Sequence, residues 1–260
     1  MKVIISCGMG KLFFHEATLA AALAGVEVEF IVGWVPSPSS RRLVDALGNC
    51  VGEASLFKRL RARAVDHPRV TVRSNALADF AAQAAVRTLR PFFSPGDLGG
   101  ISLQVAGMAS RKWLHNADIF HVRSGAGQGG AIRTARRNGL RVLADHSIAH
   151  PVYMDRVLRE EHGRLGLPFE EIAANGLWSR VLRDCEQADR LLVNSDFVKR
   201  TFVEQGFAPE NIDVAYLGVR EQFFSLKQDY SVAGPVRLLF TGSFSSMAVS
   251  PRRKRGRRSR

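Results

Sequence analysis

The sequence predicts an α/β fold, a Rossmann-like parallel sheet with helices on both faces. Three observations carry that prediction. Short apolar runs recur along the chain, Val3-Ile4-Ile5 and Leu191-Leu192-Val193 unbroken and Val26 to Val32 mostly apolar, the pattern of strands covered on both faces. Segments of helical length separate them, with recognisable start and stop residues. The 260 residues are 46% apolar, enough for a sizeable buried core and ordinary for a soluble protein.

Each element follows in turn. Val3 to Ile5 form a first strand, and Ser6 to Phe13 a loop holding Gly8 and Gly10. A helix with Leu19, Leu23 and the small residues between them facing the core ends at Gly25, and Val26 to Val32 is the second strand. The dinucleotide fingerprint G-x-G-x-x-G is half present, because Phe13 stands at its third glycine and no acid closes the second strand. The two glycines therefore admit two readings, close approach of a phosphate or a tight strand-to-helix turn. Arg41 to Gly48 and Glu53 to Val65 predict arginine-rich helices, and Val70 to Val72 a short strand. Ala76 to Leu89 is a helix stopped by Pro91, Ser94 to Gly100 a loop, and Ile101 to His115 a further helix.

Asp118 to Val122 is the fourth strand, and Arg123 to Gly127 the loop before a helix from about Gln128 to Asn138. Leu140 to Ala144 is the fifth strand, ending in Asp145-His146-Ser147, with helices at Val152 to Gly163 and Glu170 to Gln187. Ligands of an open parallel sheet bind at the carboxyl ends of its strands, so the loops after the first, fourth and fifth strands should share one crevice. The sixth strand stops at Ser195, whose hydroxyl suits an N-cap, and Asp196 complements the helix dipole. Gly206 ends that helix in a left-handed turn that lets Phe207 fold back on Phe202 or Val203. Asn211 to Tyr216 is a last strand, and Leu217-Gly218-Val219 leaves the domain.

The formal net charge is +13, of which seven charges lie in Pro251 to Arg260, leaving +6 for the preceding residues. A moderately basic body suits phosphate-bearing ligands or an anionic membrane surface and does not by itself indicate nucleic acid. Cys7, Cys50 and Cys185 are odd in number, widely spaced and without C-x-x-C, which points to free thiols in a reducing compartment and gives no zinc signal. No apolar run approaches the roughly 20 residues that span a bilayer, so the expected location is cytoplasmic, extending to the inner face of the membrane. Ser124 sits in a glycine-rich loop, but the hydrolase elbow G-x-S-x-G would need glycine where Val122 stands.

The stretch from Ala188 to Phe224 resembles the end of the N-terminal domain of family 4 glycosyltransferases of the GT-B fold. There, a strand of the type AD-apolar-VS leads through a helix, a glycine and a P-x-x-I-x-V strand to an exit N-G-V-D-x-x-x-F. Here the exit is Leu217-Gly218-Val219-Arg220-Glu221-Gln222-Phe223-Phe224, with the usual Asn and Asp replaced. Val236 to Ser245 is similar to the first strand and loop of the family's second domain, and the similarity stops after Ser246. The implied organisation is an acceptor-side Rossmann-like domain over residues 1 to 218, a linker and first strand of a truncated second domain over 219 to 246, and a basic disordered tail over 247 to 260. The tail also admits nucleic-acid binding, a nuclear address or a disturbed reading frame.

The resemblance implies retaining transfer of a sugar from a nucleotide-sugar to a saccharide or lipid-linked acceptor, in cell-envelope or exopolysaccharide biosynthesis. No metal and no cofactor beyond the donor substrate is expected. It assigns Gly8, Gly10 and Lys11 to the donor phosphates, with a solvated surface lysine the plainer reading of Lys11. Asp118-Ile119-Phe120-His121-Val122-Arg123 matches the family's D-apolar-apolar-H-x-H segment at its first histidine and departs at Arg123. His121 and Arg123 are thus the catalytic candidates, Arg123 as a fixed cation rather than a titrating base, and a satisfied strand histidine is the plainer reading of His121. Asp145, His146 and His150 lie where the family places acceptor-facing residues, and helix capping is their other reading. Pro151 keeps His150 out of helical dihedrals, against a metal pair with His146. The family's basic pair and E-x7-E glutamates are absent from these residues, so little or no turnover is expected of the 260 residues alone. The second reading is a non-catalytic Rossmann-type nucleotide or nucleic-acid binding protein using the tail, without sequence-specific nucleic-acid recognition expected.

Overall fold

In the computed structural model, the residues described are 1–10, 13–35, 65–173, 176–218, 223–225 and 234–235. Lys11, the predicted helices at 41–48 and 53–64, the strand at 236–240 and the tail at 247–260 lie outside them. The described strands are β1 (Lys2–Ser6), β2 (Glu27–Val32), β3 (Val70–Ser74), β4 (Ile119–Arg123), β5 (Arg141–His146), β6 (Arg190–Val193) and β7 (Ile212–Val214). They form one sheet in the order β3-β2-β1-β4-β5-β6-β7, and every pairing is parallel. The chain reverses its direction of travel across the sheet between β1 and β4, and the carboxyl ends of those strands open the crevice that an α/β sheet offers a ligand.

Helix α1 (Phe14–Leu23) packs on one face, where Phe14 and Phe30 are fully buried with Val3, Ile5 and Val32. On the other face lie α3 (Pro95–Ser110), which follows α2 (Ala76–Leu89), and then α4 (Ala131–Arg137), over Ile4, Phe120, Val122 and Val142. Helices α5 (Pro151–Arg164), α6 (Gly176–Gln187) and α7 (Asp196–Val203) complete the described set. Cys185 of α6 and Phe202 of α7 are buried with Ala144, Val193 and Ile212. Fully burying one such aromatic or branched side chain is worth about 1.5–3 kcal/mol, so these two layers supply the main driving force for closing the sheet.

Local signals behave as chemistry requires at most boundaries. The Ser195 hydroxyl accepts from the Val198 amide at 3.3 Å, Gly206 turns at φ +90°, and the Phe207 amide reaches the Phe202 carbonyl at 3.2 Å with the rings 5.0 Å apart. Four predictions need correction. Leu23 does not face the core: it is 71% exposed at the end of α1, whose buried residues are Phe14, Thr18 and Ala22. Ser94 to Gly100 is not a loop: Ser94 caps α3 by accepting from the Asp97 amide at 3.2 Å, and Pro95 takes the first helical turn, where its missing N–H costs nothing. Helix α4 starts at Ala131 rather than near Gln128, because Gly129 and Gly130 adopt φ of +67° and +85°. Residues 170–173 do not extend α6. They cross α5 instead, held by the Asp155 carboxylate, which accepts from the Ile172 and Ala173 amides at 2.7 and 2.9 Å.

Candidate functional site

The loops after β1, β4 and β5 converge as the sheet topology requires. Gly8, at φ +81°, backs onto Leu103 and Ala106 of α3 and onto Ala126 of the β4 loop, and a Cβ there would lie 3.3 Å from Leu103. The Cys7 thiol donates to the Gly10 carbonyl at 2.6 Å and folds the loop over itself. Gly8 is thus used by packing and turn geometry, whereas Gly10 is exposed at the mouth of the crevice.

His121 and Asp145 stand on neighbouring strands, both 7% exposed, with His121 Nε2 donating to Asp145 Oδ2 at 3.1 Å. The His121 ring lies 5.2 Å from that of Phe14, which pins it against α1. Arg123 is on the same sheet face, two residues along β4. Burial lowers its pKa, and the neighbouring Cys7 and Asp145 act in the opposite sense. A permanently protonated guanidinium and a carboxylate are therefore presented together at the sheet's carboxyl end.

A cavity of about 660 Å³ opens beside this pair, over β6 and between α1 and the segment that leaves β7. Phe13, Leu217 and Tyr216 give it apolar and aromatic walls, while Glu16, Asp145 and Asn194 bring oxygen acceptors into it. Asn194 donates through Nδ2 to the Ser147 carbonyl at 2.8 Å, and its Oδ1 is buried without a hydrogen-bond partner. Such a mixture, apolar faces with a few convergent acceptors, suits a molecule that carries both C–H surface and hydroxyl donors.

Asp145 is not brought together with His146 and His150, which pack on the same Phe202 ring. Successive strand residues point to opposite faces, so Asp145 faces the crevice while His146 faces α7, 5.0 Å from the Phe202 ring. Nδ1 of His146 is 2.8 Å from the Ser124 hydroxyl; its Nε2 makes no hydrogen bond of ordinary geometry, although the backbone of Ile148 and Ala149 lies close enough to favour protonation. Burial outweighs that and pushes His146 down to about 4. His150 caps α5 by accepting from the Val152 amide at 3.2 Å, packs on Phe202 and Phe207, and is likewise lowered by burial to about 4. Its capping reading is the one realised.

The group that sequence reasoning missed is Asp184 of α6, 0% exposed. Its Oδ2 accepts from the amides of Gly125 and Gly127 at 2.6 and 2.7 Å, and its Oδ1 from the side chain of Gln128. It therefore fixes the loop that follows Arg123, in which the Ser124 hydroxyl turns to His146. Burial raises its carboxyl to about 6 against these three donors. Nothing in Arg183-Asp184-Cys185-Glu186 distinguishes this acid from its charged neighbours; Asn194, by contrast, follows β6 directly and could have been found from the carboxyl-end rule alone.

The profile of glycosyltransferase family 4 matches residues 14–223. The chain belongs to that family. The all-parallel sheet is the α/β architecture of one half of a GT-B enzyme. No curated protein matches the chain. It is similar to TcCGT1 in complex with UDP (11% identity, TM-score 0.44), covering 86% of this chain and 54% of that one. It is similar also to a UDP-glucosyltransferase from Polygonum tinctorium capable of glucosylating indoxyl (14%, TM-score 0.47), covering 90% and 55%. A third similarity is to UGT2 of Phytolacca americana (10%, TM-score 0.41), covering 86% and 54%. The chain spans about half the length of these solved structures. Among the described residues, no three or more His, Cys, Asp or Glu side chains are grouped to hold a metal, and no helix is long and apolar enough to cross a membrane.

Proposed function

We propose that this family 4 domain is the acceptor-side half of a retaining sugar transferase whose acceptor is a saccharide or a lipid-linked glycan. The observation that carries the reading is the crevice itself, where Asp145, held by His121, shares a cavity of about 660 Å³ with Asn194, Glu16 and aromatic walls. Acceptor hydroxyls would donate to Asp145 and Asn194 while sugar C–H faces lie on Phe13 and Tyr216. Arg123 supplies fixed positive charge toward the donor diphosphate, whose negative charge grows as the sugar departs. Gly10 at the crevice mouth is the donor-side contact, with Lys11 beside it in sequence. An open crevice leaves phosphates in water, where each contact is weak, so the donor needs a second domain to close over it. On this reading the 260 residues by themselves bind without useful turnover.

The test is a fusion. A related donor-binding domain joined after Ser246 should restore transfer from a nucleotide-sugar, measured as released nucleotide, while the unfused chain gives none. Asp145→Asn in the fusion should lower turnover at least tenfold with an unchanged urea midpoint. Robust transfer by the unfused chain would overturn the division of labour. A fusion indifferent to Asp145→Asn would overturn the site.

A further inference from the structure

On the outer side of the helices that cover the opposite sheet face lies a second cavity, of about 710 Å³, between α3, α4 and α6. Neither His121, Arg123 nor Asp145 lines it. Four guanidinium groups do, Arg133, Arg136 and Arg137 from α4 and Arg183 from α6, together with the amides of Gln104 and Gln187. No aspartate or glutamate among the described residues lines it. Arg136 is held by Asp189 at 2.7 Å, while Arg133, Arg137 and Arg183 enter no ion pair among the described residues. Three guanidinium groups without an ion-pair partner among the described residues therefore border one concavity, Arg183 also lying within electrostatic reach of its chain neighbour Asp184.

The floor is fixed in advance. Gly127 and Gln128, which line the cavity, are both tied to Asp184, and Gln128 Nε2 also reaches the Arg180 carbonyl at 3.3 Å. The Asp184 carboxylate lies beneath, with its oxygens occupied by these donors, so it does not face the cavity as a free negative charge. Volume decides between kinds of anion. About 710 Å³ lies within the range of small-molecule sites, roughly 300–1,000 Å³, and is far more than one phosphate fills. Planar guanidinium forks pair bidentately with phosphate oxygens, and arginines from two helices around a cavity of this volume suit an anion with more than one phosphate.

We propose that this cavity is a second ligand site, separate from the sugar-transfer crevice, which binds a phosphoanion carrying two or more phosphate charges through Arg133, Arg137 and Arg183. The shared chemistry is a diphosphate, whether from a soluble nucleotide-like molecule or from the headgroup of an anionic lipid. The inference stands on the cavity alone and does not depend on the proposed transferase activity.

Titration of the full chain with sodium pyrophosphate by calorimetry, at constant ionic strength, reads the site directly. The triple variant Arg133→Ser, Arg137→Ser, Arg183→Ser should bind at least tenfold more weakly, and Arg164→Gln, at an exposed arginine ending α5 that lines neither cavity, should bind within twofold of the unaltered protein. The basic residues 252–260 are common to all three proteins, so their contribution cancels in the comparison. The replaced arginines are exposed, and far-UV circular dichroism checks that the fold is kept. If the triple variant does not fold, the single reversal Arg137→Glu should weaken binding in the same direction. Cosedimentation with phosphatidylglycerol vesicles separates the sources. A parallel loss of vesicle binding in the triple variant identifies a headgroup, and pyrophosphate binding lost with vesicle binding unchanged identifies a soluble ligand. Equal pyrophosphate affinity in the folded triple variant and the unaltered protein, or an equal loss in Arg164→Gln alone, overturns the proposal.

Discussion

Replacing Asp184 probes how the β4 loop is held. Asp184→Ala removes the acceptor for two buried amides, Gly125 and Gly127, and for the Gln128 side chain. Each buried donor left unsatisfied costs about 1–3 kcal/mol, and water has no ready route to a residue that is 0% exposed. The expected loss is therefore about 3 kcal/mol or more at pH 8, read as a fall in the urea midpoint with an unchanged slope. Asp184→Asn should behave differently. Its amide oxygen can keep both backbone amides while its NH2 donates to a flipped Gln128, so the cost should stay within about 1 kcal/mol. The proton adds a signed check. The folded carboxyl lies at about 6 against an ordinary 3.8, so the folded state takes up a proton first as pH falls. The unaltered protein should then gain on Asp184→Asn by roughly 1.4 kcal/mol at one unit below that pKa. An Asp184→Ala protein as stable as the unaltered one would refute the network. A loss in Asp184→Asn as large as in Asp184→Ala would show that charge, not acceptor geometry, is what the loop needs.

Two further expectations concern the other buried groups. His146 and His150 are held near 4 against an ordinary 6.5, so the unfolded chain binds protons that the folded chain refuses between those values. Stability should thus be full above pH 6.5 and fall by roughly 1 kcal/mol per histidine at pH 5.5, with Asp184 acting in the opposite sense; urea unfolding of Asp184→Asn at pH 7.5 and 5.5 isolates the histidines, and a flat or rising profile there would contradict their burial in the neutral form. Gly107 of α3 meets the β4 loop backbone, where a Cβ would lie 2.0 Å from the Gln128 carbonyl oxygen and 2.8 Å from that of Ala126. Gly107→Ala should therefore cost about 1–3 kcal/mol or more by overpacking against backbone, with near-normal stability in thermal unfolding as the outcome that would contradict it.

Much of the fold was legible because its signals are local. The apolar runs at 3–5 and 191–193 needed cover on both faces wherever they lay, and an all-parallel sheet provides it. Ser195, Gly206 and Phe207 act within a few residues of themselves, so the start and stop of α7 follow from residue chemistry alone. The family, too, was readable from residues 188–224, where motif order and spacing are dense. Ser94 to Gly100 misled because Pro and Gly there are equally good signs of a loop and of a first helical turn, and the choice rests on whether Ser94 meets the Asp97 amide.

The sequence alone determined which elements exist and which loops reach the carboxyl end of the sheet, since those depend on neighbours along the chain. Only the tertiary structure decided what each side chain does there. β5 continues through Asp145 to His146, so strand alternation sends Asp145 to His121 and the crevice and His146 to the opposite face under Phe202. Asp184 is one acid among many until α6 packs against the β4 loop, 56 to 59 residues earlier, and three donors close on it. The arginines of α4 and α6 become one basic cavity by the same route, because charge convergence between elements is set by packing and leaves no periodic trace in either helix.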